Sequence, residues 1–255
     1  MIELDTRRLV DRLGTIESIA LIPRVASTNL VARRIVAECI ENELSLPQAM
    51  IIAGEQFAGV GRNARAWSSP AGKGIYATTM LTRPTADLSV LPLAIANFIV
   101  TYLRDVFSID AKIKWPNDVL VGGKKIAGIL IEARMQDDRA YLLIGIGINV
   151  EPVEDEARPN AVAISEVAKR FDGISAATEE FIKHVDRRLS VPLDRESILN
   201  EWRAYAIHKP GDRITTVIGD RTASGTWIGV DEQGRAQLRN GSEVLTISAG
   251  ELIVT

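Results

Sequence analysis

The fold is decided by residues 118–150, which read DVLVGGKKIAGILIEARMQDDRAYLLIGIGINV. Three runs rich in β-branched residues are separated by Gly122-Gly123 and by a polar turn at residues 136–139. A glycine pair or a short polar turn between two such runs is typical of a β-hairpin. Consecutive hairpins predict an antiparallel or mixed sheet rather than a doubly wound parallel one.

Outward from this stretch, apolar periodicity predicts helices and further strands. The predicted helices are Leu30–Ile40, Val90–Phe107, Ala161–Phe171, Ala176–Leu189 and Asp194–Ala206, and the further strands are Ala49–Gly54, Gly74–Leu81 and Ala111–Trp115. Beyond Ile207, five short strands within residues 212–254 predict a small β-barrel. We therefore expect an α+β fold. A mixed, largely antiparallel sheet flanked by helices would form one domain (residues 1–206), and the β-barrel a second (residues 207–255).

Composition excludes several classes of protein. The 255 residues carry 30 Lys and Arg against 33 Asp and Glu, so the chain has no overall basic character of the kind that nucleic-acid-binding domains show. A single cysteine, Cys39, rules out an internal disulfide framework. No apolar run of about 18 residues is present to span a membrane. These features predict a soluble, cytoplasmic protein without a membrane or DNA partner.

A glycine-rich and arginine-rich loop, GEQFAGVGRNARAWSSPAGKGIYATT, occupies residues 54–79. Residues 59–64 formally match the dinucleotide fingerprint, which requires a helix to begin at the loop. The sequence Trp-Ser-Ser-Pro that follows at residues 67–70 disfavours such a helix. Arg62, Arg65 and Trp67 fall within six positions, and arginine suits phosphate and carboxylate ligands. The loop therefore indicates an anion site, with a plain surface loop as the alternative.

Three further stretches carry polar or glycine residues where a regular strand would not need them. In Lys114–Asp118 (KWPND), the oxygens of Asn117 and Asp118 suit a hard cation or a ribose-phosphate, while an Asx turn is the alternative. Lys124 and Lys125 are adjacent on a strand, so one of them should face solvent and the other the site. Gly145 and Gly147 lie inside an apolar strand, which hints at close approach of a ligand.

Nucleophilic and zinc chemistry are poorly supported. Both histidines, His184 and His208, lie far along the chain from every motif above. With one cysteine and no cluster of metal ligands, the sequence offers no zinc site.

Four motifs in register make the chain resemble the biotin–protein ligases over nearly its whole length. They are Ser27-Thr28-Asn29, the loop Gln56–Ser69, KWPNDVLVGGKKIAGIL (Lys114–Leu130) and GIGINV (Gly145–Val150). The resemblance implies a catalytic domain like that of class II synthetases and a C-terminal SH3-like barrel. It also implies ATP-dependent activation of biotin to biotinyl-5′-AMP, with Mg²⁺, and transfer of biotin to a lysine of a biotin carboxyl carrier protein. Family members pair sheet edges, so a homodimer is expected.

The resemblance also implies roles for the matching residues. It places Ser27, Thr28, Asn29, Gln56, Gly59, Val60, Gly61, Arg62, Lys125, Gly128 and Gly147 around biotin, and Arg62, Arg65, Trp67, Asn117, Lys125 and Asn149 around ATP or the adenylate. Lys125 and Arg62 are the expected catalytic residues, with Lys125 between the biotin carboxylate and the α-phosphate. Asp118 is the expected Mg²⁺ ligand, and Trp67 the expected wall beside adenine.

The chain departs from the family pattern in the loop. The usual sequence is G-R-G-R-x-G-R, whereas Val60 replaces an arginine here and Ala64 replaces a glycine. Alanine restricts the backbone more than glycine does. We therefore expect altered loop ordering and altered retention of the intermediate.

Two alternative functions remain on the sequence alone. A lipoate ligase or octanoyl transferase has a related fold, but the transferases use a cysteine in the site and Cys39 is predicted to face the core. A non-catalytic biotin sensor would not need the cations Arg62 and Lys125.

Members of the family that repress transcription carry a winged helix ahead of the Ser-Thr-Asn motif. Only 26 residues precede Ser27, so a short ligase without DNA binding is expected.

Overall fold

The computed structural model describes residues 2–85, 88–153, 160–218, 221–248 and 250–254. Its larger sheet has seven strands in the order β1-β2-β3-β7-β6-β5-β4. The strands are β1 Ser18–Ile22, β2 Ala49–Ala53, β3 Gly74–Pro84, β4 Lys112–Lys114, β5 Asp118–Val121, β6 Lys124–Gln136 and β7 Arg139–Asn149. Only the β1–β2 pair is parallel, and the other five pairs are antiparallel. The predicted mixed, largely antiparallel sheet is confirmed.

Helices cover both faces of this sheet. They are α1 Thr6–Val10, α2 Thr28–Glu41, α3 Leu91–Phe107, α4 Ile164–Val167, α5 Ile174–Leu189 and α6 Arg195–Tyr205. Alternate residues of β2 point to opposite faces, as the strand period requires. Met50 and Ile52 join the core that contains α3, α5 and α6, whereas Ile51 packs against Ala32 and Val36 of α2. None of the described helices combines the length and the apolar character needed to cross a membrane.

One predicted helix is wrong. Residues 161–171 form only the four-residue helix α4, because the start of this segment pairs with β6 instead. The Lys125 amide donates to Asn160 O at 2.7 Å, and the Val162 amide donates to Lys125 O at 3.0 Å. Backbone pairing with a strand therefore overrides local helical preference and lays this segment along the edge of the site.

The C-terminal part of the chain forms a second, five-stranded antiparallel sheet. Its strands are β8 Arg213–Ile218, β9 Arg221–Val230, β10 Ala236–Asn240, β11 Glu243–Ile247 and β12 Glu251–Val254, in the order β11-β10-β9-β8-β12. Within the described ranges no pairing joins β11 to β12, so a closed SH3-like barrel stays a prediction. The division into domains at residues 206 and 207 also stays one. Trp115 Nε1 donates to Gly234 O at 3.0 Å and connects the two sheets.

Candidate ligand-binding site

A cavity of about 770 Å³ opens between the glycine-arginine loop and the Trp115-Pro116 corner. Sites for small organic molecules are roughly 300–1,000 Å³, so this cavity has the size of a substrate site. Its charged lining side chains are Arg62, Arg65, Lys114 and Lys125 against Glu55 and Asp118. The excess of cations suits an anionic ligand such as a phosphate chain.

The loop folds back on itself as a hairpin over residues 59–67, which we call the 59–67 hairpin. Gly61 N donates to Arg65 O at 2.8 Å, and Trp67 N donates to Gly59 O at 2.8 Å. At its tip, Asn63 and Ala64 have φ of 54° and 55°, the left-handed region that glycine prefers. Ala64 therefore has a second effect besides restricting the loop. Its backbone lies in a conformation that has a higher free energy for alanine than for glycine.

Arg62 ties the hairpin to the rest of the cavity wall. Its Nη1 donates to Asn117 Oδ1 at 2.8 Å and to Gly250 O at 3.4 Å. The Asn117 amide donates in turn to Ile129 O at 3.0 Å. Asn117 thus bonds residues distant in sequence, and the Asx-turn alternative does not describe it.

Lys125 lies where two cavities meet, whereas Lys124 is exposed to solvent. Lys125 Nζ is 2.6 Å from Asp118 Oδ1 and 5.1 Å from the centroid of the Trp67 ring. Asn149 lines neither cavity. Its Nδ2 donates to Lys125 O at 3.1 Å, so it holds the backbone that carries the lysine.

The second cavity is about 60 Å³ and lies behind Trp67. Predicted site residues line it: Ser27, Thr28, Asn29, Gln56, Val60, Gly61, Arg62, Trp67, Asn117, Lys125, Gly128 and Gly147. Ser27 is the N-cap residue of α2, but its side chain makes no capping hydrogen bond. The Gln56 amide accepts from Thr28 N at 2.8 Å and donates to Ser69 Oγ at 2.9 Å.

Trp67 covers the glycines that the family resemblance assigns to biotin. Gly128 and Gly147 are directly paired across β6 and β7. A Cβ added to Gly147 would lie 2.5 Å from Trp67 Nε1, and one added to Gly128 would lie 3.0 Å from Trp67 Cζ3. The indole therefore rests on this part of the sheet. A bicyclic ligand would fit against the two glycines only after the indole has moved.

The surroundings of Asp118 bear on the expected Mg²⁺. In the described part of the chain, no three His, Cys, Asp or Glu side chains are grouped closely enough to hold a metal ion. The Asp118 carboxylate pairs with Lys125. Mg²⁺ often binds through one or two carboxylates together with substrate phosphates and water. Asp118 fits an ion that arrives with a phosphate chain, and does not by itself form a resident metal site.

Sequence reasoning did not assign several polar residues that the structure brings to the two cavities or their hydrogen-bond network. Among them are Ser69, Thr78, Lys114 and Glu132. The sequence contained a clue to Thr78, since Thr78 and Thr79 are polar residues in the mostly apolar strand Gly74–Leu81, and a buried polar group needs a hydrogen-bond partner. The sequence contained no such clue to Glu132, because a charged residue in a half-buried part of a strand is ordinary.

The protein family follows from comparison with known sequences. A family model described as the biotin/lipoate A/B protein ligase family matches residues 21–149. The chain belongs to this family. A biotin–[acetyl-CoA-carboxylase] ligase of Paracoccus denitrificans is 32% identical over 218 residues, which are 80% of this chain and 89% of that protein.

Two further comparisons show how much of the sequence and of the fold this chain shares with known proteins. The bifunctional ligase/repressor BirA of Bacillus subtilis is 30% identical over 217 residues, which are 80% of this chain and 65% of BirA, so the alignment spans about two thirds of that protein. A biotin protein ligase from Aquifex aeolicus, solved in complex with biotin and ATP, superposes with a TM-score of 0.74. That match covers 93% of this chain and 98% of the other at 24% identity, and shows a common fold.

Proposed function

We propose that this member of the family is an ATP-dependent biotin–protein ligase. The biotin carboxylate attacks the α-phosphate of ATP, giving biotinyl-5′-AMP and pyrophosphate. A lysine of a biotin carboxyl carrier protein then attacks the acyl carbon and releases AMP. The observation that carries the proposal is Lys125, a cation shared by a cavity of substrate size and a glycine-floored pocket beside it.

The first step must bring two anions together. Cations already in place lower the barrier, because they stabilise the charge that concentrates at the attacked phosphate. We assign this role to Lys125 and Arg62, which line both cavities. Asp118 would share a Mg²⁺ with the phosphates, and Asn117 would orient Arg62 through its 2.8 Å hydrogen bond.

The remaining assignments divide between the two cavities. Biotin would occupy the smaller one, enlarged by displacement of Trp67, with Ser27, Thr28, Asn29 and Gln56 at its ring end. Gly128 and Gly147 would lie under the rings. The large cavity would take the nucleotide, beside Arg65 and the displaced Trp67. Asn149 would act through the backbone of Lys125.

A lipoate or octanoate enzyme is the rival within the family. Cys39, the sole cysteine, is a buried residue of α2 and lines neither cavity, so a cysteine-based transferase is disfavoured. Exchange of labelled pyrophosphate into ATP separates the candidates. We expect exchange that depends on biotin and is absent with lipoate. A biotin sensor would bind biotin without exchange, and exchange with lipoate alone would contradict the proposal.

The partners that we propose are the carrier protein and a second copy of this chain. Transfer of biotin to a purified carrier domain, followed by mass spectrometry, tests the first. Light scattering tests the homodimer, and a gel-shift assay tests the expected lack of DNA binding. The cytoplasmic location stays a prediction.

A further inference from the structure

Phe57 is the only exposed aromatic residue in the described parts of the chain, with a relative exposure of 61%. A single exposed apolar residue is ordinary on a protein surface. The position of Phe57 is less ordinary, because it lines the large cavity together with Glu55. A residue that is both exposed and part of the lining lies at the mouth of the cavity.

Backbone hydrogen bonds hold Phe57 in place at this mouth. Val25 N donates to Glu55 O at 3.1 Å, and Phe57 N donates to Val25 O at 3.1 Å. On the other side of the segment, Gln56 N donates to Ser69 O at 3.0 Å. The side chain of Gln56 points into the protein, so the side chains of its neighbours Glu55 and Phe57 point outward, as in a strand.

Arg24 orients the ring of Phe57. Its guanidinium carbon is 5.0 Å from the centroid of that ring, and its Nε donates to Glu55 Oε1 at 3.1 Å. A guanidinium over the face of an aromatic ring is attracted by the ring quadrupole. We call Arg24, Glu55 and Phe57 the Phe57 shelf. Because the ring is already held in place, little conformational entropy is lost when a partner packs against its open side.

The transfer of biotin brings a protein to the mouth of the large cavity. The proposed intermediate lies beside Lys125, where the two cavities meet. The smaller cavity is behind Trp67, so a lysine that arrives from solvent enters through the larger one. A folded carrier domain cannot follow its lysine into a cavity of about 770 Å³, so its surface has to rest on the rim.

We propose that the Phe57 shelf is a docking contact for the carrier protein, and that Phe57 packs against an apolar side chain near the acceptor lysine. Aromatic and arginine side chains are enriched among the few residues that supply most of the binding energy of an interface. The inference rests on the proposed function. It adds a surface that acts only in the second step, in which biotin passes from the adenylate to the carrier.

The variant Phe57→Ala separates the two steps. With the biotinylation domain of an acetyl-CoA carboxylase as acceptor, the KM for that domain should rise about tenfold, because an aromatic anchor is lost. Biotin-dependent pyrophosphate exchange should stay within about twofold of wild type, because the carrier takes no part in it. Hydroxylamine attacks the same acyl carbon, displaces AMP and is too small to need the shelf. Its reaction with the intermediate should also stay within about twofold.

Two further variants make the test specific to the ring of Phe57. Phe57→Tyr keeps the ring beneath Arg24, so the KM for the carrier domain should stay within about threefold of wild type. Val191→Ala is the matched control, because Val191 is equally exposed at 61% but lies between α5 and α6 and lines neither cavity. It should leave the KM for the carrier domain within about twofold.

The outcomes separate this inference from the proposed function. A wild-type protein that catalyses no biotin-dependent exchange, or does not biotinylate the carrier domain, would defeat the proposed function. If the wild type does both, an unchanged KM for the carrier domain in Phe57→Ala, or an equal rise in Val191→Ala, would overturn the inference alone. Slower exchange in Phe57→Ala would overturn it by assigning the ring to the nucleotide or biotin. A change of oligomeric state in light scattering would overturn it by assigning the shelf to a second copy of this chain.

Discussion

Lys125 is the residue on which the proposed chemistry depends most directly. It lies 2.6 Å from the Asp118 carboxylate and borders both cavities. Lys125→Ala should lower the rate of biotin-dependent pyrophosphate exchange by about 100-fold or more, because a preorganised cation is lost where charge develops. Calorimetry should show that biotin still binds.

The neighbouring lysine supplies the control for this prediction. Lys124 is exposed and lines neither cavity, so Lys124→Ala should keep the exchange rate within about twofold of wild type, as surface changes usually do. Loss of biotin binding in Lys125→Ala without any change in the chemical step would contradict the assignment.

Ala64 is a second residue with a consequence of its own. An L-residue in the left-handed region costs about 1–2 kcal/mol relative to the right-handed one, and glycine escapes that cost. Ala64→Gly should therefore stabilise the 59–67 hairpin in the conformation seen here. Slower hydrogen exchange of the amides of residues 59–67 is the expected result.

A matched variant tests whether the gain comes from the backbone conformation. Ala66 is in the same hairpin, and its φ is not positive. Ala66→Gly should therefore speed up exchange, because it adds freedom without relieving strain. Faster exchange in both variants would show that strain at Ala64 does not govern the hairpin.

At the scale of elements, Trp67 and the glycines beneath it form one packing unit. A Cβ on Gly147 would lie 2.5 Å from the indole, so Gly147→Ala should push Trp67 off the sheet and expose it. The tryptophan emission of the unliganded protein should then shift to longer wavelength. Biotin should produce a shift in the same direction in wild-type protein, since it would displace the same ring.

The variant Trp67→Phe identifies the source of that signal. The chain has four tryptophans, and this variant should abolish the biotin-induced shift while the other three continue to emit. A shift that persists in Trp67→Phe would show that biotin enters without moving the indole.

The elements that the sequence predicts correctly are those with strong local signals. Strands β6 and β7 were expected because a polar turn separates two apolar runs, and α3 because it is apolar on nearly all sides. The helix predicted at residues 161–171 was wrong because the first residues of this segment form backbone hydrogen bonds with strand β6. The motifs placed Trp67 in the site, but not its packing against Gly128 and Gly147, which depends on contacts between distant parts of the chain.

At the scale of the whole molecule, the C-terminal sheet completes the wall of the large cavity. Gly250 lines that cavity and accepts from Arg62 at 3.4 Å, while Gly234 accepts from Trp115 at 3.0 Å. The two hydrogen bonds hold the 59–67 hairpin and the Trp115-Pro116 corner against the same sheet. The site therefore depends on how the two sheets dock, which no motif in the sequence reveals.

His208 lies at this junction and is nearly fully buried. Its ring packs against the Trp227 ring, with the two centroids 5.1 Å apart and the planes tilted by 40°, and neither ring nitrogen finds a hydrogen-bond partner among the described residues. Burial lowers the pKa of His208 to about 4, with Lys114 adding to the effect and Asp212 opposing it. The pKa of His184 is also lowered to about 4, and burial is again the largest cause.

These two histidines should make stability fall in mild acid. Between pH 6.5 and 4 the unfolded chain binds protons that the folded chain does not, so folding is weakened as the pH falls through this window. The slope should reach about 1.4 kcal/mol per pH unit for each histidine. Denaturant unfolding at intervals from pH 7 to 5 measures it.

His208→Phe should flatten this dependence at little cost. Phenylalanine can keep the packing against Trp227, and no hydrogen bond is lost with the imidazole, so the stability at pH 7 should change by less than about 1 kcal/mol. Because the chain has only two histidines, the loss of stability between pH 6.5 and 5 should be roughly halved. An unchanged slope in His208→Phe would mean that His208 takes up its proton in the folded protein. The junction between the two sheets would then open to water as the pH falls.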